Sequence, residues 1–190
     1  MLPRGGADFW VLDGKAGELL RLDASSESFD TSIDLIELET GFRLSDDDTG
    51  GEKNARLIGQ LTRTGKYLLR VQCYGHGGGG AYQLRRVSIP ARSIAMNARA
   101  TGTLVADEPG IWSFTGKAGQ TILLSIRSQA FDSEVQLNGP DGTLIVEDDD
   151  GGDGTNSLRS VRLPKDGTYT IWVTGKGGKG DYTLRLMDAD

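Results

Sequence analysis

Two short acidic segments carry the residues of this chain that are best suited to chemistry. The segment from Asp46 to Asn54 reads DDDTGGEKN, and the segment from Glu147 to Asn156 reads EDDDGGDGTN. Such segments are too charged to bury and too rich in glycine to be helical, so they are predicted to be turns. Carboxylate oxygens on a flexible turn suit Ca²⁺, which takes about 6 to 8 oxygen ligands in loose geometry. The two turns are therefore candidate calcium sites.

The order of the carboxylates indicates which side chains would face one ion. In extended backbone, alternate side chains point to the same side, which places Asp148 and Asp150 together and lets Asp153 return through the glycines. In the first turn the equivalent ligands are Asp46 and Asp48. Four further residues at matching positions are additional candidate ligands: Asn54 and Asn156, which end the two turns, and Asp30 and Asp132, which precede the turns in the chain.

The calcium interpretation has an alternative at each position. A solvated acidic turn that binds no ion would also keep the protein soluble, and Asp30 and Asp132 would also serve as turn caps. An EF-hand is excluded, because the twelfth position counted from Asp148 is Arg159 and not a glutamate. Gly51 stands where the second turn has Asp153, so the second turn fits calcium better.

Both turns belong to an internal repeat of the sequence. Positions 46 and 148 are 102 residues apart, and other motifs recur at the same offset. The matched pairs include Trp10 and Trp112, Gly14 to Gly17 and Gly116 to Gly119, Phe29-Asp30 and Phe131-Asp132, and Tyr67 and Tyr169. A repeat of this length in a chain of 190 residues predicts two domains, residues 1–88 and residues 89–190.

The composition favours β-structure and argues against several partners. The chain has 28 glycines and 5 prolines, and its apolar residues alternate in short runs, which predicts an all-β fold with little helix. The net charge of −6 argues against nucleic-acid binding, because contact with phosphates requires a basic surface. No apolar run approaches the roughly 20 residues of a membrane span. The single cysteine, Cys73, has no partner for an intrachain disulfide.

Catalysis is not predicted for this chain. Its one histidine is His76, so neither a serine triad nor a zinc site with several histidines can be assembled within it. A pair of carboxylates for glycoside hydrolysis stays open on residue types alone. The duplication of the acidic turns favours a structural ion site, because an active site is less commonly duplicated with its scaffold.

Alternation within the predicted strands separates core residues from surface residues. Trp10 and Trp112 are expected in the cores of the two domains, because each shares a strand face with a second apolar residue. Trp172 points away from the buried residues of its strand and, together with Arg185 on the last strand, predicts an aromatic and basic surface for a partner. The alternative is that Trp172 packs against the first domain or against a loop.

Further short motifs occur in a fixed order along the two copies. They are Asp8-Phe9-Trp10, Gly65-Lys66-Tyr67, Pro140-Asp141-Gly142 and Gly180-Asp181-Tyr182-Thr183-Leu184. With the acidic turns, this order resembles the bacterial pre-peptidase C-terminal domain. The resemblance implies two tandem jelly-roll-like antiparallel β-sandwiches of a secreted protein, usually without catalysis of their own and often associated with calcium. Relatives in collagenases bind the protein substrate.

The resemblance implies a non-catalytic, calcium-binding tandem module of an exported protein, with an extracellular protein or polysaccharide as its partner. The alternative is a subunit of an extracellular filament or surface assembly, a homo-oligomer joined by strand exchange and calcium. The alternative arises because only Met1 to Ala7 lies ahead of the Trp10 strand in the first copy, whereas the second copy has an entering stretch, Ala100 to Asp107. The first copy is therefore predicted to lack its first strand. The linker Ser88 to Ala98, or the Met1 to Ala7 arm of another copy, is expected to fill the gap.

Overall fold

In the computed structural model, the alternating apolar and polar residues form β-strands that pair into sheets. The structure describes residues 1–105, 108–176 and 178–189, except for the side chain of His76. The chain divides into two compact units, Met1–Ile89 and Pro90–Asp190, called unit 1 and unit 2 below. Within the described residues, regular structure is β-strand apart from one short 3-10 turn, and the predicted all-β class is confirmed. No helix there has the length and apolarity needed to cross a membrane.

Unit 1 is a sandwich of two antiparallel sheets. Its strands are β1 (Ala7–Gly14), β2 (Leu19–Ser25), β3 (Thr31–Glu37), β4 (Arg43–Asp46), β5 (Ala55–Gln60), β6 (Gly65–Cys73) and β7 (Gln83–Ser88). One sheet has the strand order β1-β6-β3-β4 and the other has the order β5-β2-β7. The alternate residues of β2, β3 and β6 point inward and form the core, as the period of two in their sequences predicts.

Unit 2 repeats this arrangement with two more strands. Its strands are β8 (Arg92–Ser93), β9 (Ala98–Leu104), β10 (Gly110–Gly116), β11 (Thr121–Ser128), β12 (Asp132–Asn138), β13 (Leu144–Asp148), β14 (Ser157–Arg162), β15 (Gly167–Lys176) and β16 (Gly180–Asp188). The sheets have the orders β13-β12-β15-β10-β8 and β14-β11-β16-β9. All neighbouring strands are antiparallel except β8, which lies parallel to β10.

The two extra strands account for the linker between the units. Residues 92–94 pair with β10, where the backbone N–H of Ile94 donates to the carbonyl oxygen of Ser113 at 2.9 Å. Strand β9 then pairs with β16 over its whole length. The expectation that the linker fills a gap in the first copy is therefore wrong, because these residues belong to unit 2. Residues 106 and 107 of the predicted entering stretch lie outside the described residues.

The amino-terminal arm is held within its own unit. Leu2 is buried beside Phe29 and Cys73, and it exchanges two backbone hydrogen bonds with Gly80, of 2.7 and 2.8 Å. The backbone N–H of Gly5 donates to the carbonyl oxygen of Gly78 at 3.0 Å. The prediction that this arm pairs with another copy does not fit this geometry, because release of the arm would expose Leu2 to water.

The two matched tryptophans have different environments. Trp112 is 5% exposed, which confirms the prediction that it lies in the core. Trp10 is 50% exposed, so the same prediction is wrong for unit 1. The difference follows from β8: the Arg92 guanidinium stacks over the Trp112 ring at 5.3 Å, and Ile94 packs in the same core. Among the described residues of unit 1, no strand takes the place of β8 beside β1.

Candidate metal centres

The first aspartate of each acidic turn binds the backbone. Asp46 Oδ1 accepts hydrogen bonds from the backbone N–H groups of Thr49, at 3.2 Å, and Arg56, at 2.7 Å. In unit 2, Asp148 Oδ2 accepts the equivalent hydrogen bonds from the backbone N–H groups of Gly151, at 3.2 Å, and Leu158, at 2.9 Å. Each carboxylate therefore ties its turn to the strand that follows it, β5 or β14. Its second oxygen accepts no backbone hydrogen bond from a described residue, and in unit 2 that oxygen, Asp148 Oδ1, lies 3.9 Å from the Arg159 guanidinium.

Replacement of Asp148 with alanine is expected to lower the free energy of unfolding by about 1–2 kcal/mol, because two backbone donors lose a charged acceptor while water reaches part of the turn. The loss is expected in the presence of a chelator, since these bonds need no ion. Urea unfolding measures it, and Asp150→Ala, which removes an exposed carboxylate of the same turn, is the control. If Asp148→Ala has the same free energy of unfolding as the parent in chelator, the hydrogen bonds of Asp148 to the backbone do not stabilise the turn.

The other carboxylates of the second turn point in different directions. The Lys176 ammonium donates to Asp149 Oδ2 at 2.6 Å, and this bond holds the pKa of Asp149 below its ordinary value. Asp150 is exposed. The side chain of Asp153 is 94% exposed and lies 3.7 Å from the Arg127 guanidinium. Asp153 therefore faces solvent and does not return to the turn, contrary to the prediction. In unit 1, Asp48 is exposed as well.

Asn54 and Asn156 join the acidic turns to a neighbouring turn of the same unit. In unit 1 this is the turn between β2 and β3, and in unit 2 it is the turn between β11 and β12. Asn54 Oδ1 accepts a hydrogen bond from the backbone N–H of Ser26 at 3.1 Å, and Asn156 Oδ1 accepts one from Ser128 at the same distance. The Asn156 amide also donates to the carbonyl oxygen of Asp153 at 2.6 Å. Both amide oxygens thus have a structural role at matching positions.

Asp30 and Asp132 are the predicted ligands with unused oxygens. In both residues Oδ1 is buried and has no hydrogen-bond partner within the described part of the chain. Burial raises the pKa of Asp30 above its ordinary value, and the negative charges of Asp48 and Asp47 raise it further. Asp30 therefore lies in the field of the acidic turn of unit 1. Buried polar atoms are usually paired, so two unpaired oxygens at matching positions need an explanation.

The side chains do not form a preassembled cluster. Among the described residues, no three His, Cys, Asp or Glu side chains lie close enough together to hold a metal ion. An ion beside Asp30 or Asp132 would therefore take its remaining ligands from backbone carbonyl oxygens and water, both of which are ordinary ligands of Ca²⁺. The predicted ligand set is assembled only in part.

Glu134 and Glu147 form an acidic pair that the sequence did not predict. Glu134 of β12 faces Glu147 of β13, and the nearby Glu134 carboxyl group, followed by burial, raises the pKa of Glu147 above its ordinary value. Thr174 Oγ1 donates to Glu134 Oε2 at 3.0 Å. Glu134 and Glu147 come together because Gln136 pairs with Glu147 across β12 and β13. Their contact therefore depends on the strand register, which the sequence does not give.

The predicted aromatic and basic surface is not formed. Trp172 lies on β15, with Ile111 and Gln136 as its cross-strand neighbours, and its buried Nε1 has no acceptor among the described residues. Arg185 lies on β16, which belongs to the other sheet of the sandwich. The two side chains therefore stand on different sheets, although their strands are consecutive in the chain. A partner role for either residue stays a prediction.

The strand order and paired sheets define unit 2 as a β-sandwich module. The family model of the bacterial pre-peptidase C-terminal domain matches residues 110–175, which run from β10 to β15. The resemblance indicated by the motifs is thereby confirmed for this stretch of the chain. A domain of this family is a non-catalytic accessory module.

Three solved structures resemble about half of the chain. The pre-peptidase C-terminal domain of collagenase from Bacillus anthracis is 19% identical, covers 51% of this chain and 94% of its own, and has a TM-score of 0.45. PliG of Aeromonas hydrophila, a periplasmic inhibitor of g-type lysozyme, is 18% identical, with coverages of 50% and 95% and a TM-score of 0.38. PliG of Salmonella Typhimurium is 18% identical, with coverages of 51% and 97% and a TM-score of 0.36. No curated protein sequence matches this chain significantly.

Proposed function

We propose that this protein is a non-catalytic, calcium-binding β-sandwich module of an exported protein, and that it binds an extracellular protein or polysaccharide. The observation that carries the calcium part is the buried, unpaired Oδ1 atom of Asp30 and of Asp132. A buried carboxylate oxygen without a donor or cation is costly. The same cost at matching positions of both units is consistent with a bound cation at each.

The position of these residues gives the ion a structural purpose. Asp30 precedes β3, at the point where the chain crosses from the sheet of β2 to the sheet of β3. The acidic turn of unit 1 connects β4 with β5, which is a second crossing between the same two sheets. An ion held by Asp30 and the acidic turn would join both crossings. Calcium would therefore stabilise the sandwich at one end, and Asp132 and the second turn would do the same in unit 2.

The partner and location rest on the family match. The match to an accessory domain found in secreted proteins supports the proposal that this protein is exported. It also supports the proposal that the protein binds a partner and does not catalyse a reaction. Several carboxylates of the chain already have structural tasks, since Asp46 and Asp148 bind backbone N–H groups and Asp149 binds Lys176. We therefore assign no catalytic role to the chain.

Calcium is expected to stabilise the protein against heat. A ligand that binds only the native state adds RT ln(1 + [L]/Kd), so millimolar calcium over a site of about 10⁻⁴–10⁻⁵ M adds about 1.4–2.7 kcal/mol. Thermal melting of chelator-treated protein, with and without added calcium, measures this gain. Asp30→Asn and Asp132→Asn are each expected to reduce the shift, and Asp153→Asn, at an exposed position, is expected to leave it unchanged. Equal melting temperatures in calcium and in chelator would rule out both sites.

The Asp30 variant also has an expected effect without calcium. Because the folded-state pKa of Asp30 is raised, its ionised form opposes folding, and the parent protein gains stability as the pH falls through that raised pKa toward 3.8. Asparagine carries no charge, so Asp30→Asn is expected to be at least as stable as the parent in chelator at neutral pH and less stable than the parent in calcium. A variant that is weaker in both conditions would assign Asp30 to turn capping.

A further inference from the structure

The outer face of the sheet β14-β11-β16-β9 in unit 2 carries three neighbouring arginines. On β11, β16 and β9 the residues that alternate with the core residues point outward, and each strand presents one exposed arginine there, namely Arg127, Arg185 and Arg99. Arg185 lies directly opposite Arg99 in the strand register. Arg127 pairs with Thr183, so it is a diagonal neighbour of Arg185, with Cα atoms about 7–8 Å apart. The three residues form one surface, called the arginine face below.

The arginine face has little compensating negative charge. The Arg99 guanidinium donates to Thr183 Oγ1 at 3.3 Å, and among the described residues neither Arg99 nor Arg185 forms an ion pair. The Arg127 guanidinium lies 3.7 Å from the carboxylate of Asp153, whose side chain is 94% exposed, so this contact is weak. Like charges directly opposite each other destabilise a pair of strands. An anion that contacts Arg99 and Arg185 together would remove this repulsion.

Unit 1 offers a comparison, because its matching sheet has an acid at the centre of the same face. Arg85 pairs with Asp23 across β7 and β2. The equivalent pair in unit 2 is Arg185 with Ser125, across β16 and β11. The Asp23 carboxylate forms ion pairs with two arginines of its own sheet, at 3.0 and 2.8 Å, namely Arg21 and Arg56. Ser125 supplies no such charge, so the face is neutralised in unit 1 and not in unit 2.

A groove of about 1050 Å³ adjoins the arginine face. Arg127, Thr101 and Thr183 belong to both, and the exposed guanidinium of Arg92 adds a further positive charge. The lining also presents hydroxyl and amide groups, namely those of Thr103, Ser128, Gln129 and Asn156. Guanidinium groups form paired hydrogen bonds to carboxylates, and hydroxyl and amide groups can donate to and accept from sugar hydroxyls. The groove and the arginine face therefore match a chain of acidic sugars.

Other polymers match this surface less well. Among the described residues that line the groove, the apolar side chains are Ala130 and Tyr182, and Tyr182 is 3% exposed. A peptide anchored by apolar side chains therefore finds no pocket here, and the bases of a nucleic acid find no exposed ring for stacking. The carboxylate of Asp181 also lines the groove and accepts a hydrogen bond from Thr103 Oγ1 at 2.6 Å. This carboxylate would repel an anion.

We propose that the arginine face and the groove of unit 2 bind a polysaccharide whose sugars carry carboxylate groups. Arg99 and Arg185 together would bind one carboxylate, and Arg127 and Arg92 would bind others along the groove. The inference rests on the proposed binding function and names its partner. It does not require calcium, because none of these arginines is a candidate ligand of the ion.

The probe is a fluorescently labelled oligogalacturonate, titrated with the full-length protein in chelator and in calcium. We expect saturable binding by fluorescence polarisation in both conditions, and weaker binding as salt is added, because exposed charges are screened. The control probe is the same oligosaccharide with its carboxyl groups reduced to alcohols, which is expected not to bind. Arg185→Gln is expected to weaken binding about tenfold, because a charged hydrogen-bond donor is lost. Arg85→Gln, the matching change in unit 1, is expected to leave binding unchanged.

Two further variants change the charge beside the arginines in opposite directions. Ser125→Asp gives unit 2 the acid that unit 1 has at this position, and it is expected to weaken binding about tenfold. Unit 1 shows that the sheet accepts an aspartate there. Asp181→Asn keeps an acceptor for the Thr103 hydroxyl and is expected to strengthen binding about threefold, because an exposed repulsive charge is removed. Melting temperatures in chelator confirm that each variant is folded.

The possible outcomes separate this proposal from the proposed function. Absence of saturable binding, equal binding of the reduced probe, or unchanged binding by folded Arg185→Gln and Ser125→Asp would each overturn the proposal. Tighter binding of polyglutamate than of the oligogalacturonate would replace the polysaccharide with an acidic peptide. A protein that melts at a higher temperature in calcium but does not bind the probe would keep its proposed calcium sites and lose only this partner.

Discussion

Replacement of Trp112 with alanine is expected to lower the free energy of unfolding by about 3–5 kcal/mol, the range for a large aromatic residue removed from a core. Trp112 is 5% exposed, packs in the core of unit 2 and donates its indole N–H to Tyr182. The same replacement at Trp10 is expected to cost about 1 kcal/mol, because half of that side chain already contacts water. The two variants compare one residue of the repeat with and without a covering strand.

Urea unfolding monitored by circular dichroism measures both changes. The signal must not depend on tryptophan fluorescence, since each variant removes a fluorophore. Hydrogen exchange shows which unit loses stability. In Trp112→Ala the amides of β11 and β16 are expected to lose protection against exchange, while the amides of β2 and β3 keep theirs. Equal losses at the two positions would mean that Trp10 is covered in solution, which would contradict its exposure in the structure.

Replacement of Asp34 with alanine is expected to destabilise unit 1 by about 3 kcal/mol, because a buried ion pair loses one partner. Asp34 is fully buried, and its two oxygens accept hydrogen bonds from Arg43 Nε at 2.6 Å and Arg70 Nε at 2.7 Å. The side chains of both arginines retain access to water, at 50% and 30% exposure, which keeps the loss at the low end for such pairs.

Urea unfolding again gives the measurement, with Asp13→Ala as the matched control. Asp13 pairs with Lys66 at 2.6 Å, but both side chains are exposed, so its loss is expected to cost less than about 1 kcal/mol. A similarly small loss for Asp34→Ala would show that hydration of the two guanidinium groups is as favourable as their ion pair with Asp34.

The sequence predicted the features that depend on local pattern. The period of two gave the inward residues of β11 and β15, and the glycine-rich turns predicted an all-β chain. The repeat placed Trp10 and Trp112 on equivalent strands. Periodicity, however, only names the face on which a side chain lies. Whether another strand covers that face depends on distant residues, which is why Trp112 was predicted correctly and Trp10 was not.

The site residues were predicted less well for two physical reasons. Carboxylates have several possible partners, and Asp46 and Asp148 bind backbone N–H groups that no sequence pattern identifies as unpaired. Consecutive strands need not share a sheet, so Trp172 and Arg185 were expected together and are separated. The ion pair of Asp34 with Arg43 and Arg70 joins three strands and depends on the same non-local order.

Calorimetric titration of the chelator-treated, full-length protein with calcium tests whether the two proposed sites exist. Because one ion is expected near Asp30 and one near Asp132, the parent protein should bind two ions per chain, with Kd values of about 10⁻⁴–10⁻⁵ M. Asp30→Asn and Asp132→Asn should each bind one ion, and the double variant should bind none. A parent protein that binds no calcium, or variants that bind as many ions as the parent, would contradict calcium binding at Asp30 and Asp132.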